Sequence, residues 1–147
     1  MEYNVPLTND VSGVSTVSPR PLADTAHPYE PCSQVGDAYT LSCYHELPQW
    51  WVQVIPDKDS LGVLCEAITN EQDRQACFQG LGSTIPSSFA YDVDKTIAYC
   101  AHLLKGEGHS LCVLAASGAF STSANDKVGA QKLCATIRPD EPYHCSP

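Results

Sequence analysis

Apolar residues recur along this chain at helical spacing, and the same spacing returns three times. Counted from Cys43, Cys77 and Cys112, the positions one, four and eight residues on are Tyr44, Leu47 and Trp51, then Phe78, Leu81 and Ile85, then Val113, Ala116 and Phe120. Offsets of three and four place such side chains on one face of an α-helix. A second stripe surrounds a second set of cysteines: Leu64, Cys65 and Ile68 repeat as Tyr99, Cys100 and Leu103, and as Leu133, Cys134 and Ile137. Asp57, Asp92 and Asp126 each stand eight residues before the cysteine of that stripe. A carboxylate there can accept the free backbone N–H groups of a helix start. The pattern predicts pairs of helices, the first of each beginning just before Cys43, Cys77 or Cys112, the second carrying Cys65, Cys100 or Cys134.

Turn chemistry separates these stretches. Lys105-Gly106-Glu107-Gly108 and Arg138-Pro139-Asp140-Glu141-Pro142 are turn signals, and Thr69-Asn70 ahead of Glu71 is suited to cap the helix that carries Cys77. Five residues after Cys43, Cys77 and Cys112 stand the compact Pro48, Gly82 and Ser117, where a neighbouring helix can come close. Pro48 falls near the middle of its helix, so that helix is expected to kink or shorten. Gly80-Leu81-Gly82 lacks the third glycine of a dinucleotide loop and follows no strand, so its glycines are packing positions.

The cysteines carry the period. Cys43, Cys77, Cys112 and Cys145 are separated by 34, 35 and 33 residues, and Cys32, Cys65, Cys100 and Cys134 by 33, 35 and 34. Two interleaved ladders of one period mark an internal repeat, the signature of a helical array. The expected fold is all-α: a disulfide-stapled α-hairpin solenoid of three repeats near residues 43–76, 77–111 and 112–145, in a domain spanning 32–147. Residues 24–42 read as a degenerate half-repeat that caps one end, since Pro28 and Pro31 forbid a full helix there. Residues 1–31 stand apart as an extended arm or linker. They hold Pro6, Pro19, Pro21, Pro28 and Pro31, and in 11–18 valine alternates with small polar residues. That stretch suits a flexible tail, an edge strand, or an arm docking on its own solenoid or on a neighbour.

Composition narrows the setting. A chain of 147 residues, 43% apolar, is long enough for one buried core. The net charge of −9 argues against nucleic acid and anionic membrane as partners. Eight evenly spaced cysteines with no CxxC point to structural disulfides in an oxidising compartment, extracellular or periplasmic, rather than to a zinc or thiol redox site. With only 17% charged residues, the chain does not fit the ion-pair-rich hyperthermophile exception. The residues after Met1 show neither the basic nor the apolar region of a signal peptide, and no apolar run approaches the length of a membrane span.

Eight cysteines allow 105 pairings. Pairing within a repeat, Cys43 with Cys65 and so on, leaves Cys32 and Cys145 over. Pairing each second helix with the helix that follows it uses all eight: Cys32–Cys43, Cys65–Cys77, Cys100–Cys112 and Cys134–Cys145. Cys100 lies about five residues before its turn and Cys112 about four after it, so the two face each other in an antiparallel helix pair. Each bond would close a loop of about a dozen residues, worth about 3 kcal/mol in the chain-entropy model.

The second copy, Phe78-Gln79-Gly80-Leu81-Gly82-Ser83-Thr84-Ile85, resembles the first-helix signature of tetratricopeptide-type repeats, and the 34-residue period matches. The resemblance covers residues 37–145. The third copy departs with Ala116-Ser117 in place of Leu-Gly, and the first with Leu47-Pro48. The resemblance implies a right-handed stack whose concave face is lined by the first helices, with His45, Gln49, Gln79, Ser83, Leu114 and Gly118 facing the groove. These are neutral, and no Lys or Arg stands among them to clamp an acidic peptide end.

Chemistry-bearing motifs are thin. His45-Glu46-Leu47-Pro48-Gln49 begins like a zinc-protease helix, but Gln49 replaces the second His and Pro48 sits within the motif. His102 and His109 flank a turn and could approach each other as metal ligands, or be exposed turn residues. No Gly-x-Ser-x-Gly elbow is present. Trp51 falls on the core stripe, and Trp50, about 100° around the helix, is either an exposed contact residue of the groove or packed in the core or cap of an end repeat. The expected function is a non-catalytic, extracytoplasmic protein-interaction or assembly module. It needs no cofactor and takes a protein partner, a second copy of the chain included, in a filament or surface layer. The alternative is a small secreted enzyme or metal-binding protein using His45, His102 and His109.

Overall fold

The computed structural model describes residues 26–103 and 106–146. The alternating-valine stretch 11–18, Asp24 and Lys105 lie outside them. The described residues form seven α-helices and no strand: α1 (Glu30–Ser33), α2 (Thr40–Val54), α3 (Asp59–Glu66), α4 (Glu71–Ser88), α5 (Val93–Ala101), α6 (Glu107–Thr122) and α7 (Lys127–Cys134). A 3-10 turn, Asp37–Tyr39, leads into α2. Long helices of 15, 18 and 16 residues therefore alternate with short ones of 8, 9 and 8. The most extensive packing is of α4 against α2 on one side and against α6 on the other, with α7 closing on α6.

The apolar stripes meet in one core. Leu47 and Trp51 from α2, Phe78, Leu81 and Ile85 from α4, and Val113, Ala116 and Phe120 from α6 are all buried. The short helices contribute Leu61 and Cys65, Tyr99 and Cys100, and Leu133. Close helix approach depends on glycine at two points. A Cβ on Gly80 would lie 1.9 Å from the His45 carbonyl oxygen, and one on Gly82 would lie 2.3 Å from that of Cys112. Only a residue without a side chain allows α4 to sit this close to both neighbours.

Of the four expected caps, three form. The side chains of Asn70, Asp92 and Asp126 accept the backbone N–H groups of Asp73, Lys95 and Gly129 at 3.0, 3.0 and 2.8 Å. Asp57 does not cap in this way. It accepts from Asp59 N–H at 3.1 Å, and Lys58 stands at the N-cap of α3. Pro48 does not end its helix: α2 runs from Thr40 to Val54 with Pro48 inside it, and the ring is buried. The lost backbone donor is offset by packing of the ring in the core.

The chain leaves α4 and α6 through left-handed residues. Ala90 and Tyr91 have φ of 52° and 59°, and Asn125 has 52°. In these turns Tyr91 N–H donates to Pro86 O, and Asp126 N–H to Phe120 O, each at 2.8 Å. The Tyr91 ring then packs edge-on against Phe120, centroids 5.5 Å apart. This contact offsets the cost of a left-handed non-glycine residue.

The folded body begins upstream of the expected boundary at Cys32. Trp51 donates its indole N–H to Pro28 O at 2.9 Å, and Tyr29 donates its hydroxyl to Leu64 O at 2.7 Å while packing edge-on against Trp51. Residues 28–31 are thus part of the core's edge. Four disulfides tie the elements: Cys32–Cys43 joins α1 to α2, Cys65–Cys77 joins α3 to α4, and Cys100–Cys112 joins α5 to α6. Cys134–Cys145 joins α7 to the C-terminal segment. Among the described residues no helix is long and apolar enough to cross a membrane.

Candidate functional site

The pinch at Gly80 organises the surface above it. There the α2 and α4 backbones touch, and on either side the longer side chains hold two cavities open. One, of ≈ 510 Å³, lies toward the helix starts, between Leu41, His45 and Glu46 of α2 and Gln72, Gln75 and Gln79 of α4. The other, of ≈ 380 Å³, lies toward the helix ends, between Gln49, Val52 and Gln53 of α2 and Ser83, Thr84 and Ser87 of α4. His45 and Glu46 border both, so the two form one groove. Early residues of α2 face early residues of α4, and late face late, so the helices run the same way. From Gln72 to Ser87 the groove is about 22 Å long at 1.5 Å per residue.

The lining is mostly amide and hydroxyl. Glu46 is the one Asp, Glu, Lys or Arg among the residues lining the two cavities, and none of them is Phe, Tyr or Trp. His45 Nδ1 lies 3.7 Å from Glu46. Gln75 is turned partly to structural work, donating to Glu71 at 3.2 Å and to Glu107 at 3.3 Å. Beside it Arg74 binds the Glu107 carboxylate at 2.8 Å and the Ile68 carbonyl at 3.0 Å, which ties the start of α4 to the start of α6. The amides of Gln49, Gln72 and Gln79 each carry both a donor and an acceptor, the chemistry needed to meet a polypeptide backbone.

Of the residues expected to face one groove, His45, Gln49, Gln79 and Ser83 are brought together here. Leu114 is not. It lines a separate cavity of ≈ 500 Å³ between α6 and α7, with Ser117, Gly118, Ser121, Ala130 and Cys145. The reason is order along the chain: Leu114 stands on α6, which the short α7 follows, so its cavity is walled by α7 and the C-terminal segment rather than by another long helix. Trp50 is half-buried and packs against the core, and it is not among the residues lining the groove.

The histidines are dispersed, and His109 is not an exposed turn residue. Its ring is buried in the first turns of α6, with Nδ1 2.6 Å from Glu141 Oε1. The other carboxylate oxygen of Glu141 accepts Arg138 N–H at 2.7 Å. An ionised carboxylate can only accept, so Nδ1 carries the hydrogen. Burial by itself pushes the Glu141 carboxyl up. The Arg138 N–H and the His109 ring, by hydrogen bond and by charge, outweigh it and hold the group below its ordinary value. His102 is exposed just beyond α5. Among the described residues there is no group of three or more His, Cys, Asp or Glu placed to hold a metal ion. Sequence reasoning missed Glu141, which reads only as part of a turn. Its partner lies 32 residues away, and no local pattern marks such a pairing.

No family model, curated protein or solved structure matches the chain.

Proposed function

We propose that this chain is a non-catalytic, extracytoplasmic protein-interaction module. It is a tetratricopeptide-like α-hairpin solenoid of three disulfide-stapled repeats that receives an extended polypeptide in the α2/α4 groove. One observation carries the proposal: the amide- and hydroxyl-lined groove of about 22 Å, bearing a single charged residue, Glu46, and no aromatic platform. Its donors and acceptors suit a peptide backbone, while the missing aromatic face disfavours sugars and bases, which bind by stacking. The four disulfides favour an oxidising compartment.

Self-assembly into a filament or surface layer is the second form of this reading. The half-open cavity beside Leu114 favours it, where a Cβ on Gly118 would meet nothing within 4 Å. Simple continuation of the stack from one molecule into the next is opposed at the other end. There Glu46 takes the repeat position that Gly80 and Ala115 occupy in the internal contacts, and at that position a neighbouring backbone leaves no room even for a Cβ on Gly80. An enzyme or metal protein built on His45, His102 and His109 is disfavoured by the separate settings of the three.

Selection of random displayed peptides on the oxidised full chain tests the groove. Peptides should be recovered that bind the native chain and lose at least tenfold in affinity on Ser83→Trp, which fills the groove from an exposed position. Recovered peptides that bind the Trp variant unchanged would place the interaction elsewhere.

A further inference from the structure

We propose that the Cys134–Cys145 disulfide is a thiol-exchange site, at which the thiolate of a partner becomes covalently attached to Cys134 while the rest of the chain stays folded. The proposal stands independently of the α2/α4 groove. Exchange makes two demands on a disulfide. A thiolate must reach one sulfur, and the other sulfur must be able to hold negative charge as it leaves. Cys65, Cys77, Cys100 and Cys112 are fully buried, so neither sulfur of their two bonds can be reached. Cys43 is half-buried, but its partner Cys32 is 1% exposed, and a thiolate left there would have no water to solvate it. Cys134 and Cys145 are both partly exposed, and both line the cavity of ≈ 500 Å³ between α6 and α7. Of the four bonds, this one meets both demands.

The surroundings set the direction. Cys134 is the last residue of α7. Carbonyl groups at a helix C-terminus carry partial negative charge, which disfavours a thiolate on that residue. Cys145 lies beyond the helices, with its sulfur 3.7 Å from the Ser117 hydroxyl oxygen. That hydroxyl donates to Leu114 O at 2.8 Å in the oxidised chain. A thiolate is a charged and stronger acceptor, and draws the hydrogen to itself. Attack therefore falls on Cys134 Sγ. A bond forms between the incoming sulfur and Cys134 as the Cys134–Cys145 bond breaks, and the electron pair of the broken bond leaves on Cys145 Sγ. One disulfide is made for one broken, so the step needs no oxidant or reductant beyond the thiol itself. The fold survives because the C-terminal turn has a second anchor: Glu141 stays bound to His109 and to Arg138 N–H.

Treatment of the oxidised full chain with reduced glutathione under native conditions tests the proposal. Samples are quenched in acid at intervals, blocked with N-ethylmaleimide and mapped by mass spectrometry. The first product should carry glutathione on Cys134 and the maleimide on Cys145, and should form about ten times faster or more than any product of another bond. Its far-ultraviolet circular dichroism should match that of the native chain. Ser117→Ala leaves both sulfurs accessible, and should shift the ratio of glutathione on Cys134 to glutathione on Cys145 about fivefold toward Cys145. A change in stability alone would alter the rates of opening and leave that ratio unmoved. Opening of another bond first, or of all four together, overturns the proposal. So does glutathione divided evenly between Cys134 and Cys145, or gathered on Cys145, in the native chain. A ratio unmoved by Ser117→Ala overturns the role given to that hydroxyl.

Discussion

Glu141 offers the sharpest test of how the C-terminal turn is held. Its side chain is 2% exposed and accepts two hydrogen bonds, one from His109 and one from Arg138 N–H. Replacing it by Gln keeps the shape and removes the charge. The amide oxygen can still take one donor, and His109 can change tautomer to accept from the new N–H, so hydrogen bonding survives and charge assistance is lost. The cost at neutral pH should be about 2 kcal/mol, within the range for bonds to charged groups. Glu141→Ala loses both bonds and leaves a cavity, and should cost about 3–5 kcal/mol. For a chain of this length the Gln variant should melt about 4–8 °C lower. The pH dependence has a definite sign. The folded carboxyl is held below its ordinary value. Its stabilisation is therefore full above the ordinary carboxylate range and is lost as pH falls through the folded value. Melting followed by far-ultraviolet circular dichroism should show the native–Gln difference shrinking from about pH 4 downward. A difference that persists unchanged to pH 2, or none at pH 7, would show that the pair does not hold the turn.

Three further outcomes follow from the geometry. Gly80→Ala gains about 1 kcal/mol in helix propensity. Its methyl meets the His45 carbonyl oxygen at 1.9 Å, and separating the helices costs more, so urea unfolding should show a net loss of about 2–3 kcal/mol. Replacing Cys65 and Cys77 together by Ala opens a loop with a sequence separation of 12 and should cost about 3 kcal/mol by the same assay; no loss would mean that this bond constrains little in the unfolded chain. Ala90→Gly removes a left-handed alanine at φ 52° and should stabilise the chain by up to about 1 kcal/mol, whereas Tyr91→Gly, which also removes the ring from Phe120, should destabilise it.

What could be read from the sequence is local or periodic. The stripes at one, four and eight residues from Cys43, Cys77 and Cys112 specify which face of each helix turns inward, because a helix of 3.6 residues per turn repeats its direction at those offsets. Asn70, Asp92 and Asp126 mark their helix starts because a cap bond spans only three residues. Tertiary structure decided whatever depends on approach between distant segments. Trp50, beside the stripe, is half-buried against the core, a contact set by the packed neighbours and not by its angular position alone. Leu114 was separated from His45 and Gln79 because it stands on the last long helix, and Pro28 and Tyr29 joined the body because Trp51 and Leu64 offered them a donor and an acceptor. The His109–Glu141 pair spans 32 residues, and its strength comes from burial that neither residue's neighbours in sequence supply. The groove itself exists because Gly80 lets two backbones touch where longer side chains diverge on either side. Sequence alone identifies the glycine; only the packed helices show the space it creates.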